Sequence, residues 1–265
     1  CGGGIPIIRP LSSSLTADEI DEISGILNGT TNYILTEMAE KYADFNKVLK
    51  EAQDKGYAER NPEADVEGHD ACRKIAILSS LAYGSHVNYE KIYTEGITKI
   101  TVEDMKYAAA MGKSVKLLAT SKREGDKFSA MVCPVLVGRD NPLYSVSGVF
   151  NAIFVHGNML GDAMFYGSGA GKLPTASAVV GDVVDCAKHL HENIMMGWSS
   201  KELELMDRKD TTHRFFVRVK GSASENLEQA EALFGPVSLV EAEVAGEFGF
   251  VTELMSEGDF EEKAE

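Results

Sequence analysis

The spacing of apolar residues changes character midway along this chain, and that change constrains the fold more than any other feature. Up to about residue 111 apolar side chains recur at three- and four-residue intervals, the period of an amphipathic helix. Ile34, Met38, Ala39 and Tyr42 form one such stripe. Phe45 to Lys55 forms a second, stopped by Gly56, and Asp70 to Tyr83 a third, stopped by Gly84. Thr16-Ala17-Asp18-Glu19 has the form of a capping box ahead of Ile20, Ile23 and Leu27, which predicts a further helix there. A short helix is expected over Val102–Met111, and the polar stretch Gly56–Asp70 reads as a loop.

From Ser114 the period becomes two. Ser114–Ser121 and Lys127–Val137 predict a hairpin turning at Glu124-Gly125-Asp126, and Val149–His156 and Asp162–Tyr166 predict two more strands. Glycine-rich Gly167–Lys172 then leads into a helix from Pro174 to His191. The order predicts an α+β fold, a mixed β-sheet covered by helices on one side. A polar break at Gly197–Asp210 separates a domain over residues 1–200 from one over 210–265. The second reads strand Arg214–Lys220, helix Asn226–Phe234, strands Val237–Ala245 and Phe248–Met255, a small ferredoxin-like unit. The acidic end, Glu253–Glu265, reads as solvated surface that arrives too early for a complete second helix and fourth strand.

A formal net charge of −15 argues against nucleic acid or an acidic membrane surface as partner, since both require a basic patch. No apolar run reaches the roughly 18–20 residues of a membrane span. Cys1, Cys72, Cys133 and Cys186 show no metal spacing, and the last three are expected as buried, reduced thiols in a cytoplasmic protein. The chain opens with Cys1, without a signal peptide, and reads as a fragment whose upstream part is missing.

Glu59, Asp65, Asp70 and Lys74 are the group most suited to chemistry. Asp70 and Lys74 stand four apart and share a helix face, which on spacing alone describes a surface ion pair. Two features point further. Asp70 adjoins a loop with more acids than capping requires, and Lys74 precedes the apolar run Ile75-Ala76-Ile77-Leu78. An ammonium withdrawn from water gives up its proton more readily, and a neighbouring carboxylate opposes that while fixing its position. A divalent metal on Asp65, His69 and Asp70 is a weaker reading, because adjacent residues at a helix start diverge.

The stretch from Ala52 to Lys74, with Gly56-Tyr57-Ala58-Glu59, Pro62, Asp65, Gly68 and Asp70 in order, resembles the homoserine dehydrogenase signature almost position by position. Gly2-Gly3-Gly4-Ile5-Pro6, Gly25–Tyr33 and Gly167–Ala176 resemble three further family segments, so the resemblance covers about the first 190 residues. It implies NAD(P)-dependent interconversion of aspartate semialdehyde and homoserine. Lys74 would move the proton with Asp70 as catalytic partner, and Asp65 and Asp70 would bind near the hydroxyl. Glu59 would hold the substrate ammonium, and Thr30, Gly29 and Tyr57 its amino-acid end. Gly56 and Gly171 would contact NADP or NAD, and the carbonyls of Cys1, Gly3 and Ile5 would hold sodium or potassium.

The resemblance also implies a nucleotide-binding domain ahead of Cys1, without which the chain is expected to be inactive. The helix Pro174–His191, which in the family packs on that domain, would expose Ala178, Val179, Val183 and Ala187, and a homodimer or higher oligomer is expected. Residues 210–265 resemble an ACT domain, with Ser222–Asn226 in place of the usual turn. The competing reading is a non-catalytic, amino-acid-binding and dimerising module.

Overall fold

The segment Ile20–Ile26 is a central strand rather than the helix its spacing predicts. The Thr16 hydroxyl donates to the Ser13 carbonyl and Glu19 pairs with Arg123, so neither caps a helix. The segment lies between two antiparallel neighbours, with Ile23 opposite Ser121 on one side and Val155 on the other. Ile23 and Ile26 point to opposite faces, each into its own apolar cluster. Isoleucines three apart suit a strand buried on both faces as well as a helix, and pairing with distant strands decides between them.

The computed structural model describes residues 1–264. After a π-helical turn at Pro10–Ser14 come β1 (Ile20–Ile26), α1 (Gly29–Lys41), α2 (Phe45–Asp54), α3 (Glu63–Val66) and α4 (His69–Tyr83). Then follow β2 (Ser85–His86), β3 (Tyr93–Thr94), α5 (Val102–Ala110), β4 (Ser114–Glu124), β5 (Lys127–Val137), β6 (Phe150–Gly157), β7 (Gly161–Ser168) and α6 (Lys172–Lys188). The remainder holds β8 (Ser199–Glu202), β9 (Thr212–His213), β10 (Phe216–Lys220), α7 (Ala223–Phe234), β11 (Val237–Val240), β12 (Glu247–Thr252), β13 (Met255–Ser256) and α8 (Glu257–Ala264). The α3 turn interrupts the stretch expected as loop.

The main sheet runs β3-β5-β4-β1-β6-β7, parallel only at β3–β5, which makes it mixed. The β4–β5 hairpin closes at Glu124↔Lys127, where Gly125 takes the left-handed conformation the turn needs. Helices α1 and α4 cover one face. On the other, Leu143 and Val146 cover Ile26, Leu118, Val137 and Ala152, while Phe150, Met164 and Tyr166 stay exposed.

Beyond residue 210 the strand order β10-β12-β11, all antiparallel, with α7 packed on it, is the ferredoxin-like pattern. Two expectations there are corrected. The strand expected over Val237–Ala245 stops at Val240, and a helix, α8, does follow the sheet. Nor is the acidic end simply solvated, because Glu257 and Glu261 pair with Arg208, whose guanidinium lies 4.2 Å from the Tyr93 ring centroid. This sheet docks on α5 through Tyr107 against Phe216 and through Arg218, 2.8 Å from both Asp104 and Glu247.

Helix α6 buries no residue; Val179 is 57% and Val183 62% exposed. Cys186 sits on it and is exposed, contrary to expectation, whereas Cys72 is buried and Cys133 partly so. Burial pushes the Cys72 thiol up and that of Cys133 to about 12, which keeps both unreactive. Among the described residues all four cysteines are free, and no helix is long and apolar enough to cross a membrane.

Candidate functional site

Two corners of the fold meet at the predicted residues. One is the turn from β1 into α1, through Leu27 and Asn28. Asn28 is extended and caps α1, its side-chain oxygen accepting from Thr31 N–H at 2.9 Å. The other is the junction of α3 and α4 at Gly68, which is left-handed and packs on Thr94 and Val132. A strap holds α3 in place: Ile97 N–H donates to the Val66 carbonyl at 2.8 Å, and any side chain at Gly96 would collide with that carbonyl.

Across the gap, Lys74 Nζ lies 2.6 Å from Asp70 Oδ2 and 3.0 Å from the Leu27 carbonyl. The Asn28 amide nitrogen donates to Asp65 Oδ1 at 2.7 Å and to Asp70 Oδ2 at 3.0 Å. The Lys74 and Asp70 side chains keep only 24% and 31% of their exposure, so this is not the free surface pair that spacing alone describes. The ammonium has three N–H groups. Two are committed, and the third has no partner among the described residues. Asp70 Oδ2 is already occupied by two donors, and His69 is exposed beside it, which removes the support for a divalent metal on these residues. No group of three or more His, Cys, Asp or Glu side chains able to hold a metal lies among the described residues.

Thr30 Oγ donates to the Tyr57 carbonyl at 2.7 Å and so ties the first turn of α1 to the loop after α2. Gly29 starts α1 where a side chain would press on the Val149 carbonyl. Glu59 is not drawn into the network. It is exposed, and its carboxylate has no hydrogen bond or ion pair to the described residues, while its carbonyl accepts from Gln53. Lys74, Asp70 and Asp65 are thus brought together, Thr30 and Tyr57 are joined, and Glu59 stands alone on the rim.

The glycine segments form a second edge. Gly4 N–H donates to the Ser168 carbonyl at 3.0 Å, and Gly3 (φ +56°) lies so close to the Gly169 carbonyl that a side chain would collide. Gly171 (φ +122°) precedes α6, whose first turn has no side-chain cap, and Gly56 (φ +75°) has open space where a side chain would stand. Asn151 is 1% exposed, next to Gly29 and Gly169, and its side-chain oxygen has no partner among the described residues. The open space at Gly56 and the uncapped first turn of α6 behind Gly171 fit a nucleotide group that approaches the backbone closely. The carbonyls of Cys1 and Gly3 accept no hydrogen bond from the described residues, and that of Ile5 accepts one from Ile7 N–H. Such oxygens fit a hard monovalent cation.

Asn28 and Asn151 were missed by sequence reasoning. An Asn before Gly-Thr signals a helix cap for Asn28, but nothing local signals its reach to acids 37 and 42 residues away.

The homoserine dehydrogenase family model matches residues 6–184. The homoserine dehydrogenase of Neisseria gonorrhoeae is 48% identical over 186 residues, 70% of this chain and 43% of that protein. That of Mycobacterium tuberculosis is 41% identical over 265 residues, 98% of this chain and 58% of that protein. The crystal structure of a homoserine dehydrogenase from Thiobacillus denitrificans superposes with a TM-score of 0.88 at 34% identity, covering 99% of this chain and 64% of that one. A hyperthermophilic archaeal homoserine dehydrogenase mutant, solved in complex with NADPH, has a TM-score of 0.59 at 32% identity, covering 70% of this chain and 53% of that one. Fold and relatives define a family of oxidoreductases. The chain belongs to the homoserine dehydrogenase family. It spans roughly half the length of these curated relatives, 43% and 58% in the two cases.

Proposed function

We propose that the chain supplies the substrate-binding and proton-transfer part of a homoserine dehydrogenase, which interconverts L-aspartate 4-semialdehyde and L-homoserine in threonine, methionine and isoleucine biosynthesis. The observation that carries this reading is the Lys74 ammonium, held by Asp70 and the Leu27 carbonyl with one N–H left over. In reduction that N–H meets the aldehyde oxygen, stabilises the alkoxide as it forms and passes it a proton from Nζ. In oxidation the neutral amine takes the hydroxyl proton.

Asp70 aims the amine, Asp65 stands near the hydroxyl, and Glu59, free on the rim, pairs with the substrate ammonium. Thr30, Gly29 and Tyr57 hold the amino-acid end. NADP or NAD, when bound, supplies or takes the hydride. Gly56 and Gly171 would lie against it, and Na+ or K+ would sit on the carbonyls of Cys1, Gly3 and Ile5.

Residues 1–200 form the catalytic domain in this reading, and 210–265 an ACT-like domain, supported by the β10-β12-β11 order. The exposed Phe150, Met164 and Tyr166 on the main sheet support a homodimer. Free thiols suit a reducing cytoplasm. The test is NADPH oxidation dependent on aspartate semialdehyde by the full-length protein, abolished in Lys74→Ala. Homoserine binding without turnover would favour the non-catalytic module instead.

A further inference from the structure

We propose that Asn28 is a positioning residue, the fixed point that keeps Asp65 and Asp70 in place whichever protonation state Lys74 is in. The inference rests on the function proposed above. Asn28 is 7% exposed, and its two ends do different work. Its oxygen accepts from Thr31 N–H, so the nitrogen must face the acids, and it reaches both. The preceding residue offers the complementary group, since the Leu27 carbonyl accepts from Lys74 Nζ. One dipeptide at the end of β1 therefore presents an acceptor to the cation and donors to the two anions.

The chemistry needs such a point. When Lys74 gives a proton to the alkoxide, Asp70 loses the positive charge that held it, and Asp65 stays anionic beside it. Two carboxylates left facing each other without a cation repel. The Asn28 amide does not ionise in either state, so its N–H groups go on holding both acids until the amine is reprotonated. Its own position is set by the α1 cap and does not depend on the acids.

Two substitutions separate this role from capping. Asn28→Asp keeps an oxygen for Thr31 N–H but puts an acceptor where the acids need a donor. Asn28→Ser also caps α1 and is too short to reach them. The full-length protein is assayed for homoserine oxidation between about pH 6 and 10. In the 265-residue chain, acetylation of Lys74 by acetic anhydride is followed by mass spectrometry.

Both variants should lose about 100-fold in kcat, the scale of a misplaced catalytic group. The acid limb of the kcat/KM profile should move to higher pH in Asn28→Asp, and Lys74 acetylation should slow severalfold there, because the added negative charge holds the amine as a cation. Wild-type turnover and pH limbs in both variants would overturn the role, as would unchanged labelling in Asn28→Asp. If wild-type protein itself fails to oxidise homoserine, the function proposed above falls. The labelling contrast then decides by itself whether residue 28 acts on the Lys74 amine.

Discussion

Lys74 and Lys116 both leave bulk water, one at the corner of α3 and α4 and the other in β4 against α1. Lys116 is 3% exposed and, among the described residues, pairs with no carboxylate and bonds only to the Val146 carbonyl and Asn32. Burial pushes its ammonium down to about 8. A buried amine shifted toward neutrality is a mark often taken for catalysis. Yet Lys116 spends its bonds tying the segment around Val146 to α1. Lys74 is less buried and has an acid partner, a backbone acceptor and an N–H to spare. In the proposed function, what separates the proton-carrying amine from a structural one is the unspent donor beside paired acids, and depth of burial is a poor guide.

The largest expected effect tests that contrast directly. Lys74→Arg keeps the charge but cannot release a proton, and full-length protein carrying it should lose about 1,000-fold in kcat. Lys116→Met, similar in length and apolar, should leave kcat within about twofold. A large loss in the second variant would erase the distinction.

Next comes the pH dependence of stability. Below about pH 8 the fold carries a buried charge at Lys116. Between 8 and the usual 10.5 the folded chain has shed a proton that the unfolded chain keeps, so stability from this group rises with pH. The gain across that window is up to about 3 kcal/mol, and Lys116→Met should remove it in urea titrations at pH 7.5 and about 10.

The smallest effect concerns another lysine four residues from an acid. Lys50 and Asp54 pair at 2.7 Å, yet both remain more than 60% exposed. Asp54→Asn should shift the melting temperature by less than about 1 °C. Sequence spacing treats this pair and Asp70–Lys74 alike, and only their surroundings tell them apart.

That limit explains what was legible. Helices α2, α4 and α5 and the β4–β5 hairpin follow from local periods and stops, and their positions match closely, while α1 starts at Gly29, ahead of the Ile34 stripe that marks it. Strand β1 was misread because its isoleucine spacing serves two geometries, and the deciding bonds run to residues about a hundred positions or more away. The acids and Lys74 were legible as a motif, and the structure brings three of them together. Asn28 was missed: the Asn before Gly-Thr carries a capping signal, but its reach to the two acids has no local one. Glu59 was legible as a member of that motif and its role by resemblance alone, and its carboxylate makes no contact among the described residues that would have singled it out. The acids of α8 read as surface in the sequence because their partner, Arg208, is about fifty residues upstream.

Helix α6 has a thermodynamic consequence of its own. With no side chain buried and the Arg9 ion pairs to Asp182 and Asp185 among its few anchors, opening it exposes almost no new apolar area. Its amide protons should therefore trade with deuterated water orders of magnitude faster than those of α4, whose Ile75 and Leu78 are fully enclosed. Fragment-resolved deuterium uptake over residues 172–188 and 69–83 gives that ranking, and equal uptake would mean that something in solution covers α6.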